Sequence, residues 1–108
     1  MLQRLFARQR RASVPSPLFS VCQLQLSEQV HWLDSKGLLD PLPYVQRHMR
    51  GDWGEVEEAR RRANEGALQA GGVLQSQYRI TPRLALLVLT DETRHRTVVR
   101  LPEEPDPR

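Results

Sequence analysis

His48-Met49-Arg50-Gly51-Asp52-Trp53-Gly54-Glu55 lies between two helical patterns and sets where the first ends and the next begins. Gly51 has no Cβ to clash in the left-handed region, so it can terminate the incoming helix there. Asp52 is placed to cap the outgoing helix, and Glu55, three residues on, completes a capping box. Gly51 and Gly54 flank Trp53, which implies a tight turn with the indole or another backbone segment packed closely against it. His48, Gly51, Asp52, Trp53 and Gly54 are therefore read first as architecture.

Upstream, Asp40-Pro41 supplies an N-cap followed by a proline at the first helical position of a helix that ends near Arg50. Leu42, Val45 and Met49 form its apolar side, Tyr44 and His48 lie one turn apart beside it, and Arg47 and Arg50 face outward. Before it, Ser27 caps a shorter helix over 28–36 that ends at Gly37. Val30 and Leu33 are buried in that helix, Trp32 borders them, and Leu38 and Leu39 tuck into the core beyond the cap. Downstream, a third helix is expected from Trp53 to about Ala70, stopping at Gly71-Gly72. Its inward stripe is Val56, Ala59, Ala63, Ala67 and Ala70, and Glu57 with Arg61 and Glu58 with Arg62 are acid-before-base pairs on its exposed face.

After the double glycine the apolar period changes from helical to alternating. Val73 to Ile80 reads as a strand, Thr81-Pro82-Arg83 as a turn, and the apolar run Leu84 to Thr90 as a central strand covered on both sides. Asp91 to His95 makes a polar hairpin loop before a last strand from Arg96 to Leu101, and Leu18 to Leu26 alternates well enough for a strand at the start. The expected fold is α+β, three helices packed on a small, mainly antiparallel sheet in the order β-α-α-α-β-β-β. One domain spans 18–102, with a flexible Arg-rich leader over 1–17 and a flexible acidic, proline-rich tail over 103–108.

With 108 residues, 39% of them hydrophobic, the chain can build one core without metals or disulfides. No apolar run approaches the roughly 18 residues that cross a bilayer. Cys22 is the single cysteine, which excludes an intramolecular disulfide and fits a reducing cytoplasm. The net charge of +3 is concentrated: Arg4, Arg8, Arg10 and Arg11 precede residue 18 without an acid, whereas 18–108 carries 12 basic and 13 acidic residues. The leader therefore reads as a tail, an upstream start or a transit-like segment, and the domain itself is nearly neutral.

No catalytic constellation emerges. His48 and Asp52 are four residues apart across a helix end, but no third ligand follows at a diagnostic interval, so no metal is expected. Cys22 sits in a strand, no Gly-x-Ser-x-Gly occurs, Glu57, Glu58, Asp91 and Glu92 read as solvated, and Gly71-Gly72 follows a helix where a phosphate loop would precede one. No cofactor and no enzymatic activity are expected. Tyr44, Arg47, Arg50, Trp53, Arg60, Arg61 and Arg62 form the candidate interaction surface, basic and aromatic in the manner of nucleic-acid binders.

The run Arg47-His48-x-x-Gly51-Asp52-Trp53-Gly54, then Asn64, then Gly71-x-x-Leu74-x-Ser76-x-Tyr78, and finally Thr97-Val98-Val99-Arg100-Leu101-Pro102 resembles a family of small bacterial proteins carried on plasmids and other mobile elements. The resemblance covers about 18–102 and brings no activity with it. Members are sometimes labelled restriction-system subunits, yet this chain has no methyltransferase motif. The leader has no counterpart in the family, and the loop Asp91 to Arg96 differs from the shorter Thr-Glu-x-Asp-Arg-Ser pattern there. Asn64 belongs to the motif and invites a structural role, a bond to the Gly51–Gly54 turn or to a strand. The small single domain, the lack of a catalytic constellation and this resemblance to mobile-element proteins together give the expectation of a cytoplasmic, non-enzymatic interaction protein of a plasmid or phage, its partner another protein encoded by the host or the element. Inhibition of a restriction or CRISPR effector is one such role. The alternative is a nucleic-acid-binding accessory protein using the Arg-rich helical surface.

Overall fold

The computed structural model describes residues 17–20 and 22–107, so residues 1–16 of the expected leader, Val21 of the first expected strand and Arg108 of the expected tail lie outside the described residues. The order is β1 (Gln23–Leu26), α1 (Glu28–Ser35), α2 (Leu42–Met49), α3 (Glu58–Ala70), β2 (Leu74–Thr81), β3 (Leu84–Thr90) and β4 (Arg96–Arg100), an α+β fold in the expected sequence of elements. The four strands form one sheet in the order β1-β4-β3-β2. β2, β3 and β4 make an antiparallel meander, and β1 joins parallel to β4.

One face of the sheet carries the core. Tyr78, Leu86, Val88 and Val99 pack there with Leu101 against Val30 of α1, Leu39 between the helices and Val45 of α2, while Trp53, Ala67 and Leu74 form a second cluster with Phe19, Val56 and Leu68. α1 lies over β1 and β4, α2 over β2 and β3, and α3 along β2. The other face carries Leu87 and Val98, buried, with Ala85 and Leu89 half-buried between Gln25, Gln75, Gln77, Arg79, Arg96 and Arg100.

Several local expectations change. β1 is shorter than Leu18 to Leu26, because Leu18 N–H donates to the Met49 carbonyl (2.7 Å) and the Phe19 ring packs edge-on against His48 (5.3 Å). That holds Leu18 and Phe19 at the end of α2 instead of in the sheet. Cys22 is exposed. In α2, His48 takes an inward position and Leu42 is exposed, and Leu38 faces solvent while Leu39 is buried. α3 begins at Glu58, not Trp53, and its inward residues are Asn64 and Ala67; Ala59, Ala63 and Ala70 are exposed. Of the expected ion pairs, Glu58 meets Arg62 (3.4 Å) and also Arg61 (3.7 Å). Alanines bury too little surface to fix a helix's rotation, and Asn64 finds backbone partners that do.

Candidate functional site

The motif around Trp53 closes an edge of the sheet. β2 is the last strand, so on its outer side Gln75, Gln77 and Arg79 have backbone groups that no further strand pairs. Asn64 meets the first: its Nδ2 donates to the Gln75 carbonyl (2.8 Å) and its Oδ1 accepts from Gln75 N–H (3.1 Å). The backbone after Gly51 meets the second, Gln77 N–H donating to the Trp53 carbonyl (3.0 Å) and Glu55 N–H to the Gln77 carbonyl (2.7 Å). The Glu55 carboxylate accepts from Arg79 N–H (3.0 Å). Glu55 is thus not part of a capping box, and Asp52 does not cap α3, whose N-cap residue Glu57 makes no side-chain cap bond.

Asp52 instead braces the turn. Its carboxylate accepts from Gly54 N–H (3.2 Å) and from Arg47 Nε (2.7 Å), and its carbonyl accepts from the Tyr78 hydroxyl (2.5 Å). The Arg47 hydrogen bond holds the Asp52 carboxyl below its usual range and raises the arginine in return, while burial pushes the Tyr78 phenol up. Gly51 ends α2 at φ +83°, as expected. A Cβ on Gly54 would lie 2.1 Å from the Gln77 carbonyl oxygen, so only glycine lets the segment approach β2 this closely. Trp53 has no exposed surface, and its Nε1 donates to Glu65 (2.8 Å).

Beneath this turn lies a polar cluster that sequence spacing does not reveal, since its members are separated by 28 and 42 residues. His48 Nδ1 shares a hydrogen bond with Ser76 Oγ (2.5 Å) and Nε2 with Thr90 Oγ1 (2.9 Å), which in turn pairs with Thr97 Oγ1 (2.7 Å). All four residues are buried. Burial, reinforced by the charge of Arg94, pushes the imidazole down to about 3, so at neutral pH it is uncharged, one nitrogen donating and the other accepting. A serine beside a histidine can act as a nucleophile only where a substrate reaches it, and neither Ser76 nor His48 has accessible surface. Among the described residues no group of three or more His, Cys, Asp or Glu side chains is placed to hold a metal ion, and no helix is long and apolar enough to cross a membrane.

The candidate interaction residues do not form one free surface. Trp53 is wholly internal, which removes it from that set. Tyr44 is half-buried against Tyr78 (5.4 Å), Arg47 lies over the Tyr78 ring (4.6 Å) in its pair with Asp52, and half-buried Arg60 donates to the Val73 carbonyl (3.3 Å). Arg50 is half-buried, and Arg61 and Arg62 share Glu58. Exposed apolar side chains lie elsewhere: Trp32 on α1 is 51% exposed, Leu38 in the following turn 65%, and Leu42 at the start of α2 54%, all within eleven residues, while Leu18, Leu24 and Val73 are exposed at other points of the chain. Trp32 borders the buried side of its helix in sequence, and that ambiguous position hid its exposure. The chain matches no family model, and no curated protein or solved structure matches it.

Proposed function

We propose that the protein is a non-enzymatic interaction module of a mobile genetic element, a plasmid or phage, that docks on another protein through Trp32, Leu38 and Leu42. A host restriction or CRISPR effector is the partner class in view. The carrying observation is the exposure of these three side chains within eleven residues, when the other tryptophan and the only buried histidine are spent inside the fold. Tryptophan is enriched among residues that dominate binding energy, because a large rigid ring buries much surface at little entropic cost. The mobile-element assignment rests on the motif resemblance.

Restriction and interference assays with and without the gene, together with co-purification from the host, test the reading. The wild type should reduce defence and retain a host protein. Trp32→Ala should abolish both while shifting stability by no more than about 0.5 kcal/mol, as surface substitutions do. Unchanged defence with no retained protein would remove the proposal. The nucleic-acid alternative draws on Arg62, whose side chain is 80% exposed. It requires DNA affinity that falls by roughly one log unit per log unit of salt for each phosphate neutralised. Titrations at two salt concentrations, with residues 1–17 present and removed, separate that reading from the first.

A further inference from the structure

The face of the sheet opposite the helices is crossed by residues 102–107, and the way they are held is informative. Pro102, Pro105 and Pro107 have no N–H to donate, so the segment cannot join the sheet as a regular strand. Two arginines on one face of β4 grip it instead. Arg100 Nε pairs with Asp106 (2.8 Å), and its Nη1 donates to the carbonyls of Leu101 (3.1 Å), Pro102 (3.2 Å) and Glu104 (2.6 Å). Arg96 donates to the Pro107 carbonyl and to the Gln25 side chain. The carbonyls of Leu101, Pro102 and Glu104 belong to the part of the chain nearest β4, and residues 105–107 supply the Asp106 carboxylate and the Pro107 carbonyl, an acid beside a backbone acceptor that any extended chain offers.

Arg96 and Arg100 alternate with Val98 on the same face, spaced about 13 Å along the strand at the usual rise per residue. Beside them a cavity of about 160 Å³ is lined by the apolar side chains of Val73, Leu89 and Val98 and by the polar ones of Thr90, Asp91, Arg96 and Asp106. Its apolar wall is left unfilled by the segment that crosses it. Glu104 anchors the start of the segment separately: it accepts from Ser27 Oγ (2.5 Å), Gln29 N–H (3.1 Å) and Leu101 N–H (2.9 Å) at the N-terminus of α1. Residues 105–107 can therefore leave the sheet without disturbing that cap.

We propose that Arg96, Val98 and Arg100 form a docking site for an acidic, extended segment of a partner protein, carrying an aliphatic side chain for the adjoining cavity, and that residues 105–107 occupy this site in cis. It is a second surface, independent of the one around Trp32. A tethered occupant competes at an effective concentration in the millimolar range, so the wild type binds such a segment weakly, and loosening the cis occupant unmasks the site.

The test uses the full chain and a dye-labelled peptide, Pro-Glu-Glu-Pro-Asp-Leu, with a Gln/Asn version of the same peptide as control. Asp106→Ala should bind the acidic peptide about tenfold more tightly than the wild type, by removal of the cis competitor. Adding Arg100→Ala should reverse that gain, and the Gln/Asn peptide should bind poorly to both. Equal binding by the wild type and Asp106→Ala, or binding that survives Arg100→Ala, would overturn the proposal. Should Arg100→Ala fail to fold by circular dichroism, amide shifts of folded Asp106→Ala decide: perturbation of Val73, Leu89 and Val98 by the peptide supports the site, and perturbation elsewhere alone refutes it. Trp32→Ala should leave peptide binding unchanged, so loss of the first surface and loss of this one are read separately.

Discussion

Protonating His48 would place a charge among Ser76, Thr90 and Thr97 with no carboxylate to receive it, and the imidazole accordingly titrates near 3 in the folded protein instead of 6.5. Between those values the unfolded chain binds the extra proton. Stability is therefore full above about pH 6.5 and falls as the pH drops toward 3, by about 2 to 3 kcal/mol between pH 7 and 4.5. Urea midpoints for the wild type and His48→Gln at both pH values check this: the wild type should lose the difference and the variant should be flatter, and parallel slopes would contradict it. Gly54 sets a second limit at this scale. Gly54→Ala would drive a Cβ into the Gln77 carbonyl at a φ of +73°, so the pairing with β2 must open. The expected cost is above about 3 kcal/mol, combining backbone strain with lost edge bonds, measured by urea midpoints in the same way.

At the scale of elements, α3 shows what could be read from sequence and what could not. Gly51 and Ser27 were legible because a helix stop and an N-cap are local: each depends on residues within one turn. Asp52 carried an equally plausible cap pattern, but the demand that displaced it comes from Gln77, more than twenty residues downstream and at an edge that no local signal announces. Asn64 stands out by its place in the motif, and a bond to a strand is among the roles expected of it; the alanine stripe around it points to a different face of the helix from the one that is buried. Trp53 links these elements, buried among Ala67, Leu74 and Phe19 with its N–H on Glu65. Trp53→Ala should cost about 3 to 5 kcal/mol, a large share of the roughly 5 to 15 kcal/mol available to a small domain. A thermal melt within a degree or two of wild type would overturn its structural role.

For the whole molecule, the two candidate surfaces, the exposed side chains from α1 to the start of α2 and the sheet face crossed by residues 102–107, are the least legible. Whether Trp32 is buried depends on how α1 rotates against β4. Whether Arg96 and Arg100 are free depends on a C-terminal segment whose composition reads as tail. The motif residues are committed to closing the sheet, and that assignment makes the outer edge of β2 the place to look. The amides of Gln75, Gln77 and Arg79 point away from β3 and should nonetheless be protected from hydrogen exchange, through Asn64, the Trp53 carbonyl and Glu55 respectively. Native-state exchange on the wild type and Asn64→Ala measures this residue by residue. The account predicts slow exchange at all three amides in the wild type and selective loss of protection at Gln75 in the variant, which should lose about 1 to 3 kcal/mol. Exchange of the three amides at the rate of an open edge strand in the wild type would contradict it.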